Sequence, residues 1–121
     1  MLKKKNNRIE TIIGNNTSFK GEVEVKGILR VDGNFEGTIR AEWVIIGPEG
    51  SVKGDIQAKG IVVGGKVEGN LSAEETVEIE SKGQVIGDIS TKKLTIIEGG
   101  LFEGKSIMRK NGANVVEMVK G

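Results

Sequence analysis

Apolar and polar positions alternate along this chain in short phrases, and the phrases recur. The recurring unit is apolar–x–Gly–x–apolar. It reads Phe19-Lys20-Gly21-Glu22-Val23, Phe35-Glu36-Gly37-Thr38-Ile39, Val52-Lys53-Gly54-Asp55-Ile56, Val67-Glu68-Gly69-Asn70-Leu71 and Val85-Ile86-Gly87-Asp88-Ile89. A degraded sixth copy is Phe102-Glu103-Gly104-Lys105-Ser106. The central glycines lie 16, 17, 15, 18 and 17 residues apart. Five copies carry another glycine two positions earlier (Gly33, Gly50, Gly65, Gly83 and Gly100), and Thr17 takes that place in the first. A second apolar phrase sits mid-repeat, as in Ile28-Leu29-Arg30-Val31, Trp43-Val44-Ile45-Ile46 and Leu94-Thr95-Ile96-Ile97. Each repeat therefore predicts two or three short strands with period-two alternation, separated by glycine corners. No interval has the length and period of an amphipathic helix.

Six units this small cannot each bury an apolar face, so they must bury it against one another. The predicted fold is all-β: a single-domain right-handed parallel β-helix (β-solenoid) of about six coils, ~17 residues per coil. A strict left-handed hexapeptide helix would hold 18 residues per coil, and the varying period favours the right-handed kind. Stacked at the usual strand spacing, six coils make a rod on the order of 30 Å long. Phe35, Val52, Val67 and Val85 should form one inward row, and Ile39, Ile56, Leu71 and Ile89 another. The expected organisation is a flexible basic tail over 1–14, a β-helix core over 15–108, and a short C-terminal tail or cap over 109–121.

Composition narrows the chemistry. Of 121 residues, 19 are glycine and 28 are valine or isoleucine, against nine leucines and alanines together. β-Branched residues suit pleated strands. The chain has no Cys and no His, which removes thiolate zinc sites, cysteine nucleophiles, the commonest general base and the Ser–His–Asp triad. Hexapeptide-type acyltransferases and γ-carbonic anhydrases depend on histidine and are disfavoured for the same reason. The charge is 18 basic against 17 acidic groups, but residues 1–8 hold four of the basic ones and no acid. The remainder is mildly acidic, a poor platform for nucleic acid. No apolar run approaches the ~20 residues of a membrane span, and no signal peptide follows the lysines. A cytoplasmic protein is expected.

Several local patterns invite a chemical reading. Gly99–Ser106 has the spelling of a phosphate loop, G-x-x-x-x-G-K-[ST]. A phosphate loop must lead from a strand into a helix, whereas this stretch is the sixth repeat, so no nucleotide is expected. Asp55 and Asp88 fall two coils apart, roughly 10 Å, near the span of an inverting glycosidase pair. Their row reads Glu22, Thr38, Asp55, Asn70, Asp88, Lys105, which is a polar surface ridge. Catalytic, metal-binding and cofactor-binding residues are accordingly none. Trp43, the lone tryptophan, either marks a partner site on the rod's face or packs under a corner.

The repeat phrases, in particular Ile28-Leu29-Arg30-Val31-Asp32-Gly33-Asn34-Phe35-Glu36-Gly37 and Lys53-Gly54-Asp55-Ile56, resemble the bactofilin family over about residues 10–107. The resemblance implies polymer-forming bacterial cytoskeletal proteins with a right-handed β-helical core, assembling end to end into nonpolar filaments without nucleotide. It implies a scaffold at the inner face of the cytoplasmic membrane, serving cell shape, wall synthesis or appendage placement. A short N-terminal segment attaches many members to the membrane; by position this matches Met1, Leu2, Lys3, Lys4 and Lys5. A phenylalanine in the last coil supports polymerisation, and Phe102 matches it. Members commonly have longer, proline-rich tails, whereas the only proline here is Pro48, inside the core.

Physical reasoning supports assembly independently. The end coils of a solenoid expose unpaired backbone groups, and the sequence shows no convincing cap. If each end pairs with its own kind about a two-fold, the result is an open filament, not a closed ring. The expected polymerisation residues are Phe19, Val23 and Val25 at one end and Ile96, Leu101 and Phe102 at the other. The C-terminal Val115, Val116, Met118 and Val119 either fold back over the last coil or form a short binding peptide, with Asn111-Gly112 as the turn. Permanent cover there would block one polymer interface. The expected partners are the chain itself, the membrane surface and unidentified client proteins. The alternative to a polymer is a non-polymeric β-solenoid adaptor for a protein partner.

Overall fold

The computed structural model describes residues 9–110 and 113–120, with side chains over 11–108. The strands are β1 (Ile9–Ile13), β2 (Ser18–Glu24), β3 (Ile28–Val31), β4 (Asn34–Arg40), β5 (Trp43–Ile46) and β6 (Ser51–Val63). They continue as β7 (Lys66–Ile79), β8 (Gln84–Thr91), β9 (Lys93–Ile96), β10 (Leu101–Lys110) and β11 (Ala113–Lys120). All pairings from β1 to β10 are parallel, each strand lying over the one a coil earlier. This is the parallel β-solenoid of about six turns that the repeats call for.

Register follows the repeat phrase. Phe19, Phe35, Val52, Val67, Val85 and Phe102 stack in one row. Val23, Ile39, Ile56, Leu71, Ile89 and Ser106 stack in a second. The mid-repeat phrases add Leu29, Val44, Ile61 and Val77, then Val31, Ile46, Val63 and Ile79, all sealed from solvent. The side chains of these rows bury one another, so no coil has a core of its own.

The central glycines are the bend. Gly21, Gly37, Gly54, Gly69, Gly87 and Gly104 have φ from +136° to +146°, a region costly for any residue with a Cβ. From Gly37 onwards a Cβ would also run into the carbonyl oxygen of the glycine one coil earlier. The backbones touch directly at this corner, which only glycine permits. Variation in the period is confined to other corners. Two-residue connections at Asp32-Gly33 and Gly64-Gly65 replace the four residues of Gly47–Gly50. An extra residue at Lys26-Gly27, between the pairs Glu24↔Arg40 and Ile28↔Trp43, and another at Glu74-Glu75, between Ala58↔Ala73 and Gly60↔Thr76, are absorbed by shifts of register.

One expectation needs correction. The solenoid begins at Ile9, not at residue 15: β1 pairs with β3 and carries the buried Ile13. Of the two alternatives for the C-terminal segment, the structure has the cap. Strand β10 continues to Lys110, and β11 returns antiparallel along its free edge, from Lys110↔Ala113 to Glu103↔Lys120. The tail thus folds back over the last coil. An antiparallel strand satisfies the exposed donors and acceptors of a parallel edge as well as another coil would.

Candidate assembly interfaces

The strand edges at the two ends of the rod differ. At the N-terminal end β1 pairs only with β3 and β2 only with β4. Among the described residues their outer edges are unpartnered. Phe19 lies here, 38% exposed, its ring stacked on Phe35 with centroids 5.2 Å apart and planes 8° from parallel. Val23 and Val25 beside it are half-buried. These three side chains belong to inward rows but have no coil above them, so each shows one face to solvent.

At the C-terminal end Phe102 is 1% exposed and stands directly over Val85. It is a core side chain of the last coil. Its neighbours Leu101 and Ile96 are 46% and 40% exposed. Strand β9, which carries Ile96, pairs only with β7, so one stretch of this end keeps an open edge while β11 occupies that of β10. The rows also turn polar here. Ser106 closes the second row and donates its hydroxyl to the Met108 sulfur at 3.3 Å; Thr91 is fully buried one coil earlier.

The other sequence candidates fall on the rod's sides. Asp55 and Asp88 are exposed, with Asn70 between them in the ladder donating Nδ2 to Asp55 Oδ1 at 3.3 Å. The stretch spelled like a phosphate loop runs straight into β10, with Gly104 over Gly87. Trp43 faces outward from β5, and its ring lies flat across Gly60 of the next coil, where a Cβ would collide with it. Arg30 and Asp32 form an ion pair at 2.9 Å beside this face. The Glu80 carboxyl donates its proton in a hydrogen bond to Glu78, which raises its pKa from the ordinary carboxylate value, burial and the Glu78 charge adding to the effect. No described group of three or more His, Cys, Asp or Glu is placed to hold a metal. Met1 to Lys5, the expected membrane-binding residues, lie outside the described residues.

A protein-family model described as polymer-forming cytoskeletal matches residues 11–107 of this chain. The chain belongs to the bactofilin family. A cryo-EM reconstruction of Thermus thermophilus bactofilin double helical filaments is similar, with a TM-score of 0.76 and 26% identity over 83% of this chain and 100% of that one. No curated protein matches the chain. The bactofilin match ends at residue 107, so β11 lies beyond it. Sequence reading missed β1 and the ring stack. The signal for the stack was Phe19 and Phe35 at the same position of consecutive phrases.

Proposed function

We propose that this chain is a scaffold subunit that assembles end to end into nonpolar, nucleotide-independent filaments. The observation that supports this reading is the N-terminal end, where the outer edges of β1 and β2 have no partner among the described residues and Phe19 is 38% exposed beside them. A second copy approaching about a two-fold pairs its own β2 there, covers both Phe19 rings and restores the missing hydrogen bonds. At the other end Leu101 and Ile96 offer apolar contact, and Phe102 acts from beneath by filling the last coil. The relative's filaments are double helical, which supports side-by-side association of two strands in this chain as well. The role is structural, with no part for catalysis or nucleotide.

Membrane attachment at the inner face of the cytoplasmic membrane is assigned to Met1, Leu2, Lys3, Lys4 and Lys5. Each lysine near an anionic leaflet contributes about 1 kcal/mol, and a filament multiplies weak contacts through effective concentration. Clients in cell shape, wall synthesis or appendage placement would be recruited along the polymer. Among the described residues no helix is long and apolar enough to cross a membrane.

Electron microscopy of the purified protein without nucleotide tests assembly: filaments are expected, and discrete rods at every concentration and salt would overturn the reading. Such rods, or pairs of them, would support the adaptor alternative, which the cap on β10 favours. Sedimentation with anionic vesicles, with and without residues 1–8, tests attachment; equal pelleting of the two forms refutes it.

A further inference from the structure

Along one corner of the rod the outward side chains change sign from coil to coil. Lys26, Glu42, Lys59, Glu74 and Lys92 each follow the floor residue of their coil: Val25, Ala41, Ala58, Ala73 and Thr91. All five charged side chains are exposed, and none makes an ion pair within 4.0 Å among the described residues. Beside them runs a furrow of about 620 Å³. Its floor is Val25, Ala41 and Ala58, which pack on the core yet stay half-buried. Ala73 is already buried and Thr91 fully so, so the floor closes towards the C-terminal end.

From this alternation we infer that the corner is the side-by-side contact between two copies of this chain, in opposite orientation, within paired filament strands. The inference rests on the end-to-end reading above. Charge identifies the occupant. A partner must present alternating charges at the spacing of stacked strands, ~4.8 Å, and a second ladder of the same kind does so. A two-fold axis across the rod between the Glu42 and Lys59 coils sets Lys26 against the copy's Glu74 and Glu42 against its Lys59. The reverse pairs form too, so the first four positions all meet opposite charge, and Lys92 lies beyond the overlap. In a nonpolar filament subunits alternate in direction, so such opposed neighbours exist at a suitable stagger. The small floor residues let the two corners approach closely. Single exposed ion pairs are weak, but their number grows with filament length.

Alternation also holds the register within one rod, through vertical neighbours of opposite sign, and the test separates the two effects. An all-acidic ladder (Lys26→Glu with Lys59→Glu and Lys92→Glu) and an all-basic ladder (Glu42→Lys with Glu74→Lys) are made and imaged at low salt. Each alone should give single strands, with pairing weakened at least about tenfold per contact. An equimolar mixture should recover paired strands, because acidic corners then face basic ones. Pairing by either variant alone overturns the proposal. So does a mixture that stays single, because charges acting only within a rod are not rescued by a second chain. Should either variant form no strands at all, the full inversion (Lys26→Glu, Glu42→Lys, Lys59→Glu, Glu74→Lys, Lys92→Glu) decides, because it keeps the alternation. It must pair with itself as the wild type does, and failure refutes the assignment. Wild-type protein that forms no filaments tests the end-to-end reading instead, so the two failures are distinguishable.

Discussion

The two ends of this rod carry the same repeat phrase and have different fates. At the N-terminal end Phe19 stacks on Phe35 and is partly open to solvent, under strand edges that nothing among the described residues pairs. At the C-terminal end Phe102 occupies the equivalent row position and is sealed, with β11 along the edge of β10. A repeat places a side chain in its row, but what lies beyond the last coil decides whether that side chain is core or interface. The antiparallel direction of β11 adds a second lesson. Two copies meeting about a two-fold also present their end strands antiparallel, so β11 occupies β10 much as a second copy's β10 would. On the end-to-end assembly proposed above, the open end joins directly, whereas the capped end must first release β11 or join through the edge of β9.

The contrast is sharpest in paired substitutions. Phe102→Arg places a charge in the core, which should cost on the order of 4 kcal/mol and unravel the last coil. Both thermal stability and assembly should fall. Phe19→Arg leaves its charge in water, so melting should move by only a degree or two while head-to-head joining is lost. Calorimetry together with electron microscopy checks the pair. Equal destabilisation by both would erase the distinction drawn here between the ends.

A smaller effect is expected along the glycine ladder. Gly54→Ala meets both positive φ and the Gly37 carbonyl, and should destabilise by about 3 kcal/mol. Gly21→Ala meets only the φ penalty, because its nearest neighbour is the Phe19 ring at 3.6 Å, and should cost about 1 kcal/mol. Chemical denaturation of the two variants measures the difference, and equal losses would mean that the open end is not open.

The least effect on folding is expected from removing residues 111–121. The solenoid up to β10 keeps its core, so circular dichroism should remain that of the full chain. Filaments, however, should form at lower protein concentration, because the β10 edge is freed. Assembly that becomes weaker on this deletion would show that β11 is part of the joint, not a cover over it.

Most of the fold was legible because strand alternation is local. Whether Phe35 or Glu36 points inward is settled by period two, and the recurrence of the phrase then settles which coils touch. Gly37 and Gly54 could be placed at corners for the same reason. The phosphate-loop spelling was resolved by register alone, with Gly104 falling over Gly87. Less could be read where the repeat stops. Ile9–Ile13 lacks the phrase and looked like tail, yet β1 pairs with β3 because Leu29 and Val31 otherwise have no coil above them. Trp43 was ambiguous because its resting place depends on Gly60, one coil away.

The amino-acid order by itself determined the stacked coils, the inward rows, the glycine bend and the absence of histidine and cysteine chemistry. Each of these follows from side-chain type and spacing within a few residues, repeated six times over. Tertiary structure alone decided which end stays open, where Phe102 is buried, and that Val25, Ala41 and Ala58 floor a furrow beside alternating charges. Those outcomes depend on which strand edges find partners and how closely neighbouring coils approach, and neither quantity is carried by any single stretch of the chain.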